Sequence, residues 1–144
     1  MKPKTIFGSS VLLWSLVIII LLTPVVQASY AYNGIVVSAS KENKVVSFNI
    51  SSSSDSPAIY GFTVIIQGHK HYSEVTKSPV GWSAGTIGYQ AVMWTTKSHP
   101  IQPGSGEGNF AIEVTQIGTY TIGWSVMDNT LQPVAWGTLS INVT

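Results

Sequence analysis

From residue 35 onward, apolar and polar side chains alternate with a period of two, and no useful stretch carries the spacing of an amphipathic helix. Ile35 to Ala39 predicts a short first strand. Val46, Phe48 and Ile50, interleaved with Ser47 and Asn49, predict a second. Serines 51–54 followed by Asp55, Ser56 and Pro57 read as a loop. Residues 59–67 are nearly continuously apolar, as in a central strand, and 72–76 read as a weak edge strand. Further strands are expected at 92–96, at Phe110, Ile112 and Val114, and most clearly at Tyr120, Ile122, Trp124 and Val126. Asp128-Asn129-Thr130 supplies a turn, and Val134 to Val143 returns as the last strand. A bulge is expected at Gly137, because Trp136 and the later Leu139, Ile141 and Val143 fall on opposite phases. Seven or eight short strands separated by Gly, Pro and Ser turns predict an all-β antiparallel sandwich, with a closed barrel as the alternative. Trp82, Trp94, Trp124 and Trp136 read as core or rim packing.

The first 28 residues follow a different pattern. Lys2 and Lys4 precede an apolar run from Val11 to Leu22 that only Ser15 interrupts, and Pro24 ends it. Val26-Gln27-Ala28 then offers the small side chains that a signal peptidase reads. Cleavage after Ala28 is expected, leaving residues 29–144 as one β-sandwich domain. The alternative is a retained anchor from Ile6 to Val26, just long enough for a bilayer of about 30 Å. Both place the domain outside the cytoplasm, extracellular or at the cell surface.

Charge and composition narrow the classes of function. The chain has seven lysines, no arginine and six acidic residues, for a net +1; beyond residue 28, five lysines face six acids. A near-neutral domain without arginine has no electrostatic footprint for nucleic acid. Absence of cysteine excludes a disulfide, a thiolate metal site and a cysteine nucleophile.

Pro79-Val80-Gly81-Trp82, Val92-Met93-Trp94, Ile101-Gln102-Pro103-Gly104, Phe110-Ala111-Ile112 and Tyr120-Thr121-Ile122-Gly123-Trp124 together resemble small immunoglobulin-like or cohesin-like sandwich modules of exported archaeal and bacterial surface proteins. The similarity covers about residues 45–143, through turn and core positions. It implies an immunoglobulin-like sandwich with a role in cell-surface structure, adhesion or glycan contact, and it brings no catalytic residue.

Five local patterns suggest chemistry. Gly81-Trp82-Ser83-Ala84-Gly85 matches G-x-S-x-G, but no helix pattern follows it. His99 is the sole downstream histidine, and Asp128 comes only after it. A turn around a packed Trp82 explains the same letters, and no catalytic residue is assigned. His69 and His71, two apart on an extended segment, project to one face and could share a metal with Glu74 or His99. A solvated loop pair is the alternative, and no cofactor is expected. Gly104 to Gly108 precedes a strand rather than a helix, so it reads as a hairpin loop and not a phosphate cradle. Asn49-Ile50-Ser51 and Asn142-Val143-Thr144 are N-glycosylation acceptor patterns. Tyr30, Tyr32, Tyr72 and Tyr89 lie outside the best strands, and Tyr72 and Tyr89 are candidates for glycan contact.

The expectation is therefore an exported, non-catalytic surface module. Its partners are cell-surface proteins or glycans, or a second copy of the chain, with the membrane involved only through an uncleaved signal segment. The strand beginning Ile35-Val36-Val37 either pairs within its own sandwich or joins a neighbour's open sheet edge in a filament.

Overall fold

The computed structural model describes residues 28–144, so the signal segment expected over 1–28 lies, apart from Ala28, outside the described residues. Ten strands follow in chain order: β1 (Ala28–Tyr32), β2 (Ile35–Glu42), β3 (Val45–Ser52), β4 (Gly61–Ile66), β5 (Tyr72–Lys77), β6 (Trp82–Ile87), β7 (Ala91–Thr96), β8 (Gly106–Val114), β9 (Gly118–Met127) and β10 (Pro133–Val143). They form two antiparallel five-stranded sheets, β1-β2-β3-β8-β5 and β10-β9-β4-β7-β6. The fold is the expected sandwich and not a closed barrel.

Two strands exceed the expected seven or eight. β1 pairs with β2 through a two-residue turn, Asn33-Gly34, in which both residues take positive φ (52° and 75°). That is the backbone a twisted two-residue hairpin requires. β6 occupies the segment read as a turn around Trp82. As an edge strand it buries only Trp82, so it shows no apolar alternation. The strand beginning at Ile35 lies second in its own sheet, between β1 and β3, with Ile35, Val37 and Ala39 at most 1% exposed.

Strands alternate inward and outward, and the inward set fills the space between the sheets. At its centre Phe62 stacks on Trp94 (centroids 5.7 Å apart) and meets Phe48 and Phe110 edge-on at 5.7 and 5.1 Å. Trp82 closes the cluster edge-on to Phe110 at 5.2 Å. Two buried indole N–H groups find acceptors: Trp94 Nε1 donates to Ser78 Oγ (3.0 Å), and Trp82 Nε1 to the His99 carbonyl (2.9 Å). Burying each aliphatic or aromatic side chain of this kind stabilises the fold by about 1.5–3 kcal/mol.

At the β8–β9 corner, the hydroxyl of buried Tyr120 donates to the Gln116 carbonyl (2.6 Å) and accepts from the Gln116 N–H (3.2 Å). A tyrosine bonded to the backbone a few residues upstream, at the start of a strand, is a device of immunoglobulin-like sandwiches. Two local expectations are corrected. The ladder of β10 slips between Pro133 and Ala135 rather than at Gly137, so Val134 is the extra residue. From there Ala135, Leu139, Ile141 and Val143 face inward in one unbroken phase, and Trp136 simply faces out. The Gly104–Gly108 segment is not a hairpin loop: β7 and β8 lie in different sheets, so the chain crosses between the layers here, and pairing with β3 resumes at Gly106.

Candidate functional site

His69 and His71 lie in the loop between β4 and β5. His71 meets the exposed Tyr89 ring edge-on at 6.3 Å. Lys70, between them, turns the other way, with its ammonium 4.7 Å from the Tyr120 ring centroid and bonded to the Thr119 carbonyl. His99 does not join this pair. Its carbonyl is bonded by Trp82, at the opposite end of β6 from Ile87 and Tyr89. A six-residue strand spans roughly 17–20 Å, far beyond a shared coordination sphere. Glu74 stands on β5 in register with Glu113, exposed. Among the described residues, no three His, Asp or Glu side chains converge as metal ligands. A metal held by His69 and His71 therefore gains neither of the two further ligands proposed from the sequence.

The G-x-S-x-G segment is similarly dispersed. Ser83 is exposed on the edge strand β6. His99 Nδ1 lies 2.9 Å from Ser98 Oγ. Asp128 is committed to its own turn: Oδ1 accepts from the Thr130 hydroxyl (2.7 Å), the Thr130 N–H (2.9 Å) and the Gln132 N–H (3.1 Å). These bonds, the Thr130 hydroxyl foremost, hold the Asp128 carboxyl below its ordinary pKa.

Of the glycan-contact candidates, Tyr72 is corrected. It is 5% exposed, and its hydroxyl donates to the Gly88 carbonyl at 3.1 Å, so its ring face is covered. Tyr72 opens the expected edge strand, and it packs inward because it falls on that strand's core phase. Tyr89, in the β6–β7 turn, is 75% exposed. Asn49 is exposed where the β3–β8 register slips between Phe48 and Ile50, and it lines a shallow hollow of about 270 Å³ with Ser38, Ser40, Ser47, Lys77 and Asn109. Asn142 is exposed on β10, its carbonyl oxygen 3.5 Å from the Thr119 hydroxyl.

A further surface feature combines Tyr32, one of the tyrosines that the sequence places outside the best strands, with Trp136, which the sequence assigns to core or rim packing. Tyr32 ends β1 and Trp136 projects from β10, and their ring centroids are 5.2 Å apart at 35°. β1 and β10 are the edge strands of different sheets, so the pair bridges the seam between the two layers. A side-chain tie and a backbone bulge hold it there. Asn33, in the β1–β2 turn, donates from Nδ2 to the Val134 carbonyl (3.3 Å), tying the hairpin to β10. The bulge at Val134 sets the phase that turns Ala135 in and Trp136 out. Trp136 remains 55% exposed and Tyr32 36%. The phase of Trp136 was visible in the sequence; a bulge assigned to Gly137 concealed its meaning.

No family model and no curated protein matches the chain. Among solved structures it is similar to the crystal structure of an uncharacterized protein from Nocardia farcinica that reveals an immunoglobulin-like fold. The two are 21% identical with a TM-score of 0.52, over 76% of this chain and 81% of the other. The likeness establishes the immunoglobulin-like sandwich.

Proposed function

We propose that this chain is an exported, non-catalytic module that works at or beyond the cell surface in a structural or adhesive role. The observation that carries this reading is the Tyr32–Trp136 pair: two large rings kept partly exposed at the seam by a hairpin tie and by the bulge that turns Trp136 outward. Exposed aromatics on a rigid sheet seam offer apolar area at little cost in conformational entropy, and such patches mark contact sites. Export is supported by the Lys2/Lys4, Val11–Leu22 and Val26-Gln27-Ala28 pattern.

The test is retention on envelope preparations from the producing cells. Wild-type protein is expected to sediment with them. Trp136→Ala and Tyr32→Ala are each expected to lower the bound fraction at least tenfold while costing only about 0.5–1.5 kcal/mol of packing, so that both variants stay folded under the conditions of the assay. Binding unchanged in both variants removes this surface from consideration.

A second reading, carbohydrate binding, draws on the hollow that Ser38, Ser40, Ser47, Asn49 and Asn109 line, since hydroxyls and amides match the donors and acceptors of a sugar. Elution of the bound protein by soluble envelope polysaccharide, but not by salt, distinguishes it from a protein partner.

A further inference from the structure

Each sheet of the sandwich has two edges, and they are not alike. β1 and β10 run beside each other, joined by Asn33 and by the Tyr32–Trp136 contact. β5 is blunted by two register slips, at Tyr72/Glu74 and Val75/Lys77, and by the charges of Glu74 and Lys77. β6 has neither protection. Its six residues, Trp82-Ser83-Ala84-Gly85-Thr86-Ile87, pair with β7 without a slip and carry no charge. Natural proteins rarely leave an edge so plain unless something covers it.

The ladder fixes which backbone groups are free. Thr96 donates to Tyr60 and Ile66 to Gln90, so the even-numbered residues of β7 turn their polar groups toward β4. Alternation then turns Ala91, Met93 and Thr95 toward their β6 partners Ile87, Gly85 and Ser83. Ala84 and Thr86 are left with N–H and C=O directed outward. Trp82 directs its N–H to the Pro79 carbonyl, which closes that end.

We propose that β6 is a self-association edge, pairing antiparallel with β6 of a second copy about a two-fold axis at Gly85. In that register Ala84 of each chain faces Thr86 of the other, which uses every outward N–H and C=O of both residues in four hydrogen bonds. Glycine meets glycine at the close, non-hydrogen-bonded pair, where no side chain obstructs approach. The occupant is a second copy because the edge is complementary to itself. It has no charge to repel its image, and the domain beyond residue 28 is nearly neutral. The apolar surface agrees. Val80, Tyr89 and Ile87 are 88%, 75% and 68% exposed, the three most exposed large apolar side chains among the described residues. All three lie on β6 or within two residues of its ends, and antiparallel pairing brings Val80 of one copy to the same end as Tyr89 of the other. The result is one continuous ten-stranded sheet across the dimer.

Sedimentation velocity of the purified protein over a wide concentration range tests this. A monomer–dimer equilibrium is expected. Gly85→Lys, which sets two ammonium groups against each other at the axis, is expected to raise the dimer dissociation constant at least tenfold. Ala84→Pro deletes an outward N–H and leaves the β6–β7 ladder intact, and it is expected to act likewise. Ile87→Lys gives a third reading at a position remote from the axis, and Glu74→Lys on β5 leaves dimerisation unchanged. Thermal melts identify any variant that fails to fold. A wild-type monomer at every concentration overturns the proposal, and so does a dimer that the folded β6 variants do not weaken.

Discussion

The Tyr120 hydroxyl both gives and accepts a hydrogen bond at Gln116, and this fixes the corner through which the chain passes from β8 to β9. Tyr120→Phe keeps the buried ring and deletes both bonds. Their loss is expected to cost about 1–2 kcal/mol, which lowers the melting temperature by roughly 4–8 °C in a domain of this size. Differential scanning calorimetry of the pair measures it. Asp128 makes a different contribution, because its carboxylate is the acceptor around which the β9–β10 turn closes. Its pKa in the folded chain is depressed, so its stabilisation is complete above the ordinary carboxylate pKa and is lost as pH falls through the lowered value. Asp128→Asn is expected to melt below wild type at neutral pH and to converge with it in acid. A gap between the two curves that is constant with pH contradicts this account.

At the scale of the element, the β1–β2 hairpin shows how a two-residue turn governs a strand. Gly34 sits at φ 75°, and a Cβ there would lie 2.3 Å from Ser53 Oγ. Gly34→Val therefore meets both backbone strain and a clash, and it is expected to destabilise the fold by about 1–3 kcal/mol. Urea titration provides the measurement. The edge and second strands differ sharply in what they contribute. Removing residues through Tyr32 deletes only the edge strand β1, and the rest is expected to unfold cooperatively at a lower temperature. Removing residues through Ser40 also takes away Ile35 and Val37, whose burial contributes on the order of 3–6 kcal/mol. That approaches the whole stability of a typical domain, about 5–15 kcal/mol, and no cooperative transition is expected to remain. The same contrast explains what could be read from the sequence. β3, β7 and β9 have one face in the core and one in solvent, so burial writes a period of two into their residues. β6 is exposed on nearly every residue and writes nothing, and Gly85 within it, with Gly81 and Gly88 at its ends, imitates a turn. β1 did leave a signal in Asn33-Gly34, but it stands so close to the export pattern that the hairpin goes unnoticed. The sites were less legible still. Tyr72 and Tyr89 look alike as letters, and only the register of β5 decides that one is covered and the other open.

For the whole molecule, the boundary between export segment and domain is the quantity that links the sequence pattern to the sandwich. The first pairing of β1 joins Ala28 to Ala39. Cleavage after Ala28 therefore removes one of five β1–β2 pairs and leaves the Tyr32–Trp136 contact, the Asn33 tie and both sheets in place. Cleavage a few residues later, within Tyr30 to Tyr32, would consume the edge strand and the aromatic pair together. A processing site at Ala28 is thus compatible with a stable product in a way that later sites are not. Intact-mass measurement of protein recovered outside the cytoplasm is expected to give a chain beginning at Ser29, with a melting temperature unaffected by the lost residue. A chain retaining Met1 in the membrane fraction overturns the prediction and turns the domain into an anchored one. β1 would then begin two residues beyond the Ile6–Val26 span, and the surface carrying Tyr32 would be held at the membrane face rather than released with the protein.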